Sequence, residues 1–232
     1  MILEVRAVAP FHKNGFVVGC ERTREAIIID PGDEVDQLLA AAFEAEVEVT
    51  HILLTHAHVD HVTGVAAAKE ALDVPVHLHR DDLFLYEQAV EHGRMFGLKV
   101  RPQPPIDHFY DGSPLGFGDY DVTVHHTPGH CPGGVCLQVS LSRRRGAPDP
   151  QSHAQSHGPQ HLFVGDTLFA GSIGRTDLPG GDYDVLMRSI TGVLFPFGDE
   201  AVVHPGHGPD TTIGRERQTN PFVLEYVSGH QK

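Results

Sequence analysis

Residues 55–61 read Thr55-His56-Ala57-His58-Val59-Asp60-His61, which places four metal-capable side chains within six residues. Neutral imidazole and carboxylate are ligands that suit zinc, iron and manganese. His56 and His58 lie two apart, so in extended backbone both point to one side. Asp60 and His61 follow where the chain turns and can serve an adjacent position. A polar surface turn is the plain alternative, and for a lone histidine it would be preferred. Three further candidates share one context, a strand end flanked by Gly or Pro: His130 in His126-Thr127-Pro128-Gly129-His130, Asp166 in Val164-Gly165-Asp166-Thr167, and His207 in His204-Pro205-Gly206-His207-Gly208. Such residues allow tight turns that leave a side chain projecting from a sheet edge. Together the seven donors suit a dinuclear centre. His56, His58 and His130 hold one cation, Asp60, His61 and His207 the other, and Asp166 bridges them with its two oxygens. A water shared by two cations is acidified into a nucleophile, and the same cations polarise a carbonyl under attack. Asp60 and Asp166 are therefore the expected catalytic carboxylates.

The elements that must position these residues are legible as short apolar runs. Strands are expected over 3–8, 16–20, 26–30 and 52–54, the last leading straight into the histidine cluster. Asp33 is placed to cap a helix over 35–44 with Val35, Leu38, Leu39 and Phe43 on one stripe. A helix follows the cluster, then a strand over 74–78 and a helix over 81–92. From Ile106 the pattern becomes short strands with tight turns, over 106–110, 115–117, 121–126 and 134–140. A strand at 162–166, a helix over 184–194 and a strand at 201–204 complete the reading. Two groups of strands with helices after several of them imply an α/β chain in αββα layers. One domain over 1–232 is expected, with a solvated loop at 142–160 whose His153 and His157 lack the packing that fixes ligands. His77, His79, His92, His108, His125 and His126 are read as surface or hydrogen-bonded histidines.

Composition narrows the function classes. The 232 residues are 40% hydrophobic and 21% charged with a net charge of −14, ordinary for a globular chain and adverse to nucleic acid. No apolar run approaches the roughly 20 residues of a membrane helix, and the N-terminus has no signal-peptide layout. Three cysteines, Cys20, Cys131 and Cys136, give no disulfide framework, so a cytoplasmic location is expected.

The motifs HAHVDH, HTPGH, GDTLF and PGHG, in this order, resemble the metallo-β-lactamase superfamily and within it the glyoxalase II (hydroxyacylglutathione hydrolase) group. The resemblance runs from about Ile2 to Phe222, and the closing stretch is similar to the short single-domain branch. It implies the αββα sandwich, one or two divalent ions (zinc first, iron or manganese otherwise), and hydrolysis of S-D-lactoylglutathione or a related thioester. It also implies that Arg175, after the Gly171-Ser172-Ile173-Gly174 loop, meets the glutathione part. Three departures weaken that half. The family's tyrosine after the arginine is replaced by Thr176 and Asp177, the tyrosine two residues past the last metal histidine by Pro209, and the 25 residues after His207 are too few for the extra helical domain. Arg175 could instead pair with Asp177 or Asp182. Cys131, beside His130, stands where the family often has threonine and is read as a packed residue. His126 matches a histidine that the family keeps. The rival within the fold is a persulfide dioxygenase with a single iron at His56, His130 and Asp166. A β-lactamase and a non-catalytic metal-binding protein are further alternatives. Metal identity and oligomeric state are left open.

Overall fold

The computed structural model describes residues 1–142 and 160–229. The expected loop at 142–160, with His153 and His157, therefore lies almost wholly outside the described residues. The first half runs β1 (Ile2–Arg6), β2 (Gly15–Gly19), β3 (Glu25–Ile29), α1 (Val35–Glu44), β4 (Glu48–Leu53), α2 (Val59–Val62), α3 (Val65–Leu72), β5 (Val76–Leu78), α4 (Leu83–Glu87), α5 (Ala89–Met95) and β6 (His108–Phe109). The second half runs β7 (Leu115–Phe117), β8 (Tyr120–His126), β9 (Val135–Leu141), β10 (His161–Gly165), β11 (Leu168–Phe169), β12 (Ser172–Ile173), α6 (Tyr183–Ser189), β13 (Val202–Pro205), β14 (Thr211–Thr212), α7 (Ile213–Thr219) and α8 (Pro221–Gly229).

Two six-stranded sheets result, ordered β1-β2-β3-β4-β5-β6 and β14-β13-β10-β9-β8-β7, with β11 and β12 as a separate hairpin. The layers follow from side-chain alternation along the strands. Phe16, Val18, Ile27, Ile29 and Leu53 point inward and meet Phe117, Val122, Leu137 and Phe163 of the second sheet. Their neighbours Val17, Ala26, Ile28, Ile52 and Leu54 point outward and pack with Val35, Leu38, Val65, Leu85 and Ala89 of the helices. Leu162, Val164 and Val203 likewise turn out to meet Leu186, Met187, Ile213 and Val223. The fold is thus the expected αββα sandwich. Each buried Leu, Ile or Phe contributes roughly 1.5–3 kcal/mol from its apolar area.

β3, β4, β5 and β6 run parallel, as do β10 and β13. Each of these parallel neighbours is reached through intervening helices on the outer faces. Their C-terminal ends therefore open together at one rim, the place where α/β sheets bind ligands. Among the described residues no helix is long and apolar enough to cross a membrane.

Several local expectations are corrected. The residue before α1 is Glu34 rather than Asp33, and no side chain caps the helix. The Glu34 carboxylate instead accepts from Gly32 N–H and from the buried Lys13 ammonium. Phe43 is 84% exposed; the buried face of α1 is Val35, Leu38, Ala41 and Ala42. The expected helix over 81–92 is a 3₁₀ turn at Arg80–Asp82 followed by two short helices that break at Gln88. β6 belongs to the first sheet, paired parallel with β5, although its composition groups it with the later strands. The helix expected over 184–194 ends in a π turn at Ile190–Leu194.

Candidate metal centre

The strand ends deliver the donors. Thr55 to His58 lead from the end of β4, with His58 in extended backbone, and Asp60 and His61 lie on α2. His130 sits in the β8–β9 connection, Asp166 directly after β10, and His207 directly after β13. Gly165 has φ +52, and a Cβ there would stand 2.4 Å from Thr55 Oγ1; only glycine lets β10 pass so close to β4 before Asp166 projects. Gly206 is held by contact as well, since a Cβ would come within 2.2 Å of Asp166 Oδ1. The His207 loop is fixed from the other sheet: Asn14 Nδ2 donates to the carbonyls of Pro205 (3.0 Å) and Gly208 (2.8 Å), and Lys13 bridges to His207 through the backbone.

All seven expected donors converge. His58 Nδ1 and His130 Nε2 point at each other across 2.7 Å. The His56 ring lies 4.9 Å from that of His58 and 5.0 Å from that of His130. Asp166 stands 3.6 Å from His130 Nε2, 3.4 Å from His61 Nε2 and 3.5 Å from His207 Nε2. Asp60 Oδ2 lies 3.1 Å from His207 Nε2 and 3.8 Å from His61 Nε2. Two donor groups follow, His56 with His58 and His130, and Asp60 with His61 and His207, each with ligand atoms within 4.8 Å of one another. Asp166 touches members of both.

The chemistry of this set fits cations. His56 Nε2, His61 Nε2 and Asp166 Oδ1 are buried without a hydrogen-bond partner. Orphaned donor atoms aimed at one point cost free energy unless something binds there. The opposite ring nitrogens are engaged: His56 Nδ1 with Thr55 Oγ1 (3.1 Å), His61 Nδ1 with Asp30 Oδ2 (3.0 Å), and His130 Nδ1 with the Arg175 carbonyl (2.7 Å). These bonds fix each ring so that Nε2 faces the centre, where its lone pair serves a cation once any proton on it is displaced.

Electrostatics divide the site. Burial, reinforced by the neighbouring His61, His58 and His130 rings, holds His56 far below the ordinary imidazole value. Burial and then His130 bring His58 down to about 3. Both are neutral ligands at pH 7. For His61 burial pulls downward, but the Asp60, Asp166 and Asp30 carboxylates outweigh it and raise the value to about 10. The same imidazole and His207 hold Asp60 and Asp166 ionised against the cost of their burial.

Sequence reasoning missed the supports. Asp30, fully buried, accepts from Thr55 N–H (2.7 Å), Thr55 Oγ1–H (2.5 Å) and His61 Nδ1. Asp82, also fully buried, accepts from Ala57 N–H (3.0 Å), Gly133 N–H (2.5 Å) and Cys131 Sγ–H (3.1 Å). It thereby ties the loop bearing His56 and His58 to the loop bearing His130. Cys131 is buried, with its thiol pushed well up by burial and by Asp82, in keeping with a packed residue. Lys13, between the first two strands, is 2% exposed and bonds the Asp30 carbonyl and the Glu34 carboxylate. The nearest sequence signal is the turn chemistry of Asp30-Pro31-Gly32 where the strand expected over 26–30 ends. Arg175 is exposed and forks onto Asp177 through two 2.8 Å bonds, the pairing that the sequence left as an alternative to ligand recognition.

Known proteins resemble this chain over most of its length. A family model described as the metallo-beta-lactamase superfamily matches residues 8–143. The hydroxyacylglutathione hydrolase GloC of Haemophilus influenzae is 33% identical over 231 residues, covering 96% of this chain and 98% of its own. The crystal structure of TTHA1623 in a di-iron-bound form is 40% identical, with a TM-score of 0.77 over 94% of this chain and 99% of that one. The BLEG-1 B3 metallo-beta-lactamase structure is 34% identical, with a TM-score of 0.80 over 96% and 99%. With more than half of the chain matched by the family model and relatives aligned over nearly their whole length, the chain belongs to the metallo-beta-lactamase superfamily.

Proposed function

We propose that this protein is a metal-dependent thioester hydrolase of the glyoxalase II type, acting on S-D-lactoylglutathione or a related small thioester. The observation that carries the reading is the convergence of two complete donor groups around one bridging carboxylate, with His56 Nε2, His61 Nε2 and Asp166 Oδ1 buried and unpaired. His56, His58 and His130 would hold one divalent ion, Asp60, His61 and His207 a second, and Asp166 both. Zinc, iron and manganese all suit this nitrogen and oxygen set, and the relative TTHA1623 was crystallised in a di-iron-bound form. When bound, such ions supply an acidified water and a polarised carbonyl.

The chain's own groups do the rest. Asp60 and Asp166, held ionised by the imidazoles around them, orient the attacking water, and Asp60 Oδ2 accepts its proton. The tetrahedral adduct then breaks its C–S bond, the remaining hydroxyl proton passes to the departing sulfur so that it leaves as the thiol, and the acyl half leaves as the carboxylate with the proton first taken by Asp60 released to solvent. No side-chain nucleophile is needed, since Cys131 is buried and bonded to Asp82. Arg175 engages Asp177 through Nε and Nη2, an exposed pair that solvent screens, so a substrate carboxylate would compete with Asp177 for the guanidinium. The GloC relative supports the glutathione-derived substrate. Three unpaired cysteines support a reducing, cytoplasmic setting.

The test is turnover of S-D-lactoylglutathione by metal-loaded protein, with His58→Ala as control. Hydrolysis that depends on His58 upholds the reading. Oxygen uptake with glutathione persulfide, and no thioester cleavage, would replace it with the mononuclear-iron dioxygenase alternative at His56, His130 and Asp166.

A further inference from the structure

A cavity of about 560 Å³ opens between the β5–β6 edge of the first sheet and β7–β8 of the second. None of the seven centre donors lines it. Four histidines do: His77, His79, His108 and His126. Alternation on the strands explains the grouping. His77 and His79 lie two apart, His77 pairs across the ladder with His108, and β8 ends in His126 on the facing sheet. The His79 and His126 rings stack at 4.3 Å and 10°. Two cationic imidazoles would repel at that distance.

Asp81 completes a third donor group, with His79, Asp81 and His126 ligand atoms all within 4.8 Å of one another. His79 Nδ1 and Asp81 Oδ2 are 3.8 Å apart, beyond hydrogen-bond distance. Two ligands on one tetrahedral cation, each bonded at about 2.1 Å, lie roughly 3.4 Å apart, so the His79–Asp81 spacing is close to that of a chelate, and the two imidazoles share the ion when one ring turns out of the stack. His126 Nε2 donates to the Pro132 carbonyl at 2.8 Å, which fixes the tautomer and leaves Nδ1 with its lone pair. The competitor for His79 Nδ1 is the Asp81 N–H at 3.3 Å, a long bond. An independent observation comes from His77. It is 6% exposed, lines the same cavity, and its Nε2 has no hydrogen-bond partner. His77 thus adds an imidazole with one unengaged ring nitrogen next to the candidate ligands, among the described residues. The net charge of −14 adds general attraction for cations.

We propose that His79, Asp81 and His126 form a separate site for one divalent transition-metal cation of the zinc class, facing the histidine-lined cavity and distinct from the seven-donor centre. The site stands whether or not the centre hydrolyses thioesters.

The experiment compares full-length wild-type protein with His79→Ala/Asp81→Asn by equilibrium dialysis against Zn²⁺ and by the visible spectrum of added Co²⁺. The expected result is one fewer ion per chain in the variant, loss of one Co²⁺ spectral component, and unchanged thioester turnover if the centre is a thioesterase. His58→Ala should remove a different component and leave the peripheral one. Equal stoichiometry and equal Co²⁺ spectra in wild type and variant overturn the proposal. Should the variant fail to fold, histidine-ring NMR of the wild type during Co²⁺ titration decides: paramagnetic shifts on His79 and His126 uphold the site, and their absence overturns it.

Discussion

Replacing Asp30 by Asn should uncouple one half of the centre without dismantling the fold. Asp30 has φ +49, a left-handed conformation that Asn tolerates better than most residues, so the backbone survives the exchange. The chemistry does not. Oδ1 accepts from Thr55 N–H, and Oδ2 accepts from both Thr55 Oγ1–H and His61 Nδ1. With the amide oxygen kept on Thr55 N–H, the new NH₂ faces two donors. Thr55 Oγ1 can rotate its proton away, but His61 must move its proton from Nδ1 to Nε2, the atom aimed at the centre. Loss of such an orienting partner weakens a metal site about 10- to 100-fold, or roughly 1.4–2.8 kcal/mol. Disturbing a buried bonded carboxylate costs about 1–3 kcal/mol of stability, which for a chain of this size is roughly 2–12 °C in Tm. The assay pairs a metal titration, read by competition with a chromogenic chelator, with thermal melts of protein stripped by chelator. The expected outcome is one ion bound normally and one weakened by the factor above. Two ions bound as tightly as in the wild type would refute the claim that Asp30 sets the His61 tautomer.

Other consequences are equally direct. Gly206→Ala places a Cβ 2.2 Å from Asp166 Oδ1 and 2.8 Å from His61 Cε1, so it should abolish binding of the ion held by His61 and cut turnover at least 100-fold, as read by elemental analysis and steady-state rates. Phe163→Ala, at the centre of the inter-sheet core, should cost about 3–5 kcal/mol in urea denaturation with the seven donors unchanged. For protein stripped of metal, His61 has a folded value near 10 against an ordinary 6.5. Its contribution to stability is therefore complete below about pH 6.5 and is lost as the pH rises toward 10, which a Tm-versus-pH series checks. Metal uptake near pH 7.5 should release protons, mostly from His61, measurable in weakly buffered solution with a pH indicator.

What could be read from the chain, and what could not, has a physical reason. The seven donors were legible because four of them cluster in HAHVDH at the end of an apolar strand and the other three, His130, Asp166 and His207, stand beside Gly at strand ends, local signals that need no partner. The layering was legible because β2, β3 and β10 are apolar on both faces, which only a sheet covered on both sides requires. Asp30 and Asp82 were not legible as supports. Their donors lie 25 residues away at Thr55 and Ala57 and 51 away at Gly133, and a single carboxylate reads the same whether solvated or buried. Lys13 hides for the same reason, since its partners come from β3 and the start of α1. The short β11–β12 hairpin and the helices α7 and α8 carry too little periodicity to stand out. The peripheral histidines were set aside because their pairing depends on the β5–β6 ladder and on the meeting of two sheet edges.

The Lys13–His207 bridge and the split of donors between the layers have a mechanical consequence. His56, His58, Asp60 and His61 hang from the first sheet; His130, Asp166 and His207 hang from the second. Any ion gripped by both sets is a rivet through the open rim of the sandwich. Loading it resists any hinge-like parting of the two halves, and an emerging chain on the ribosome cannot complete either donor triad until its second half has docked.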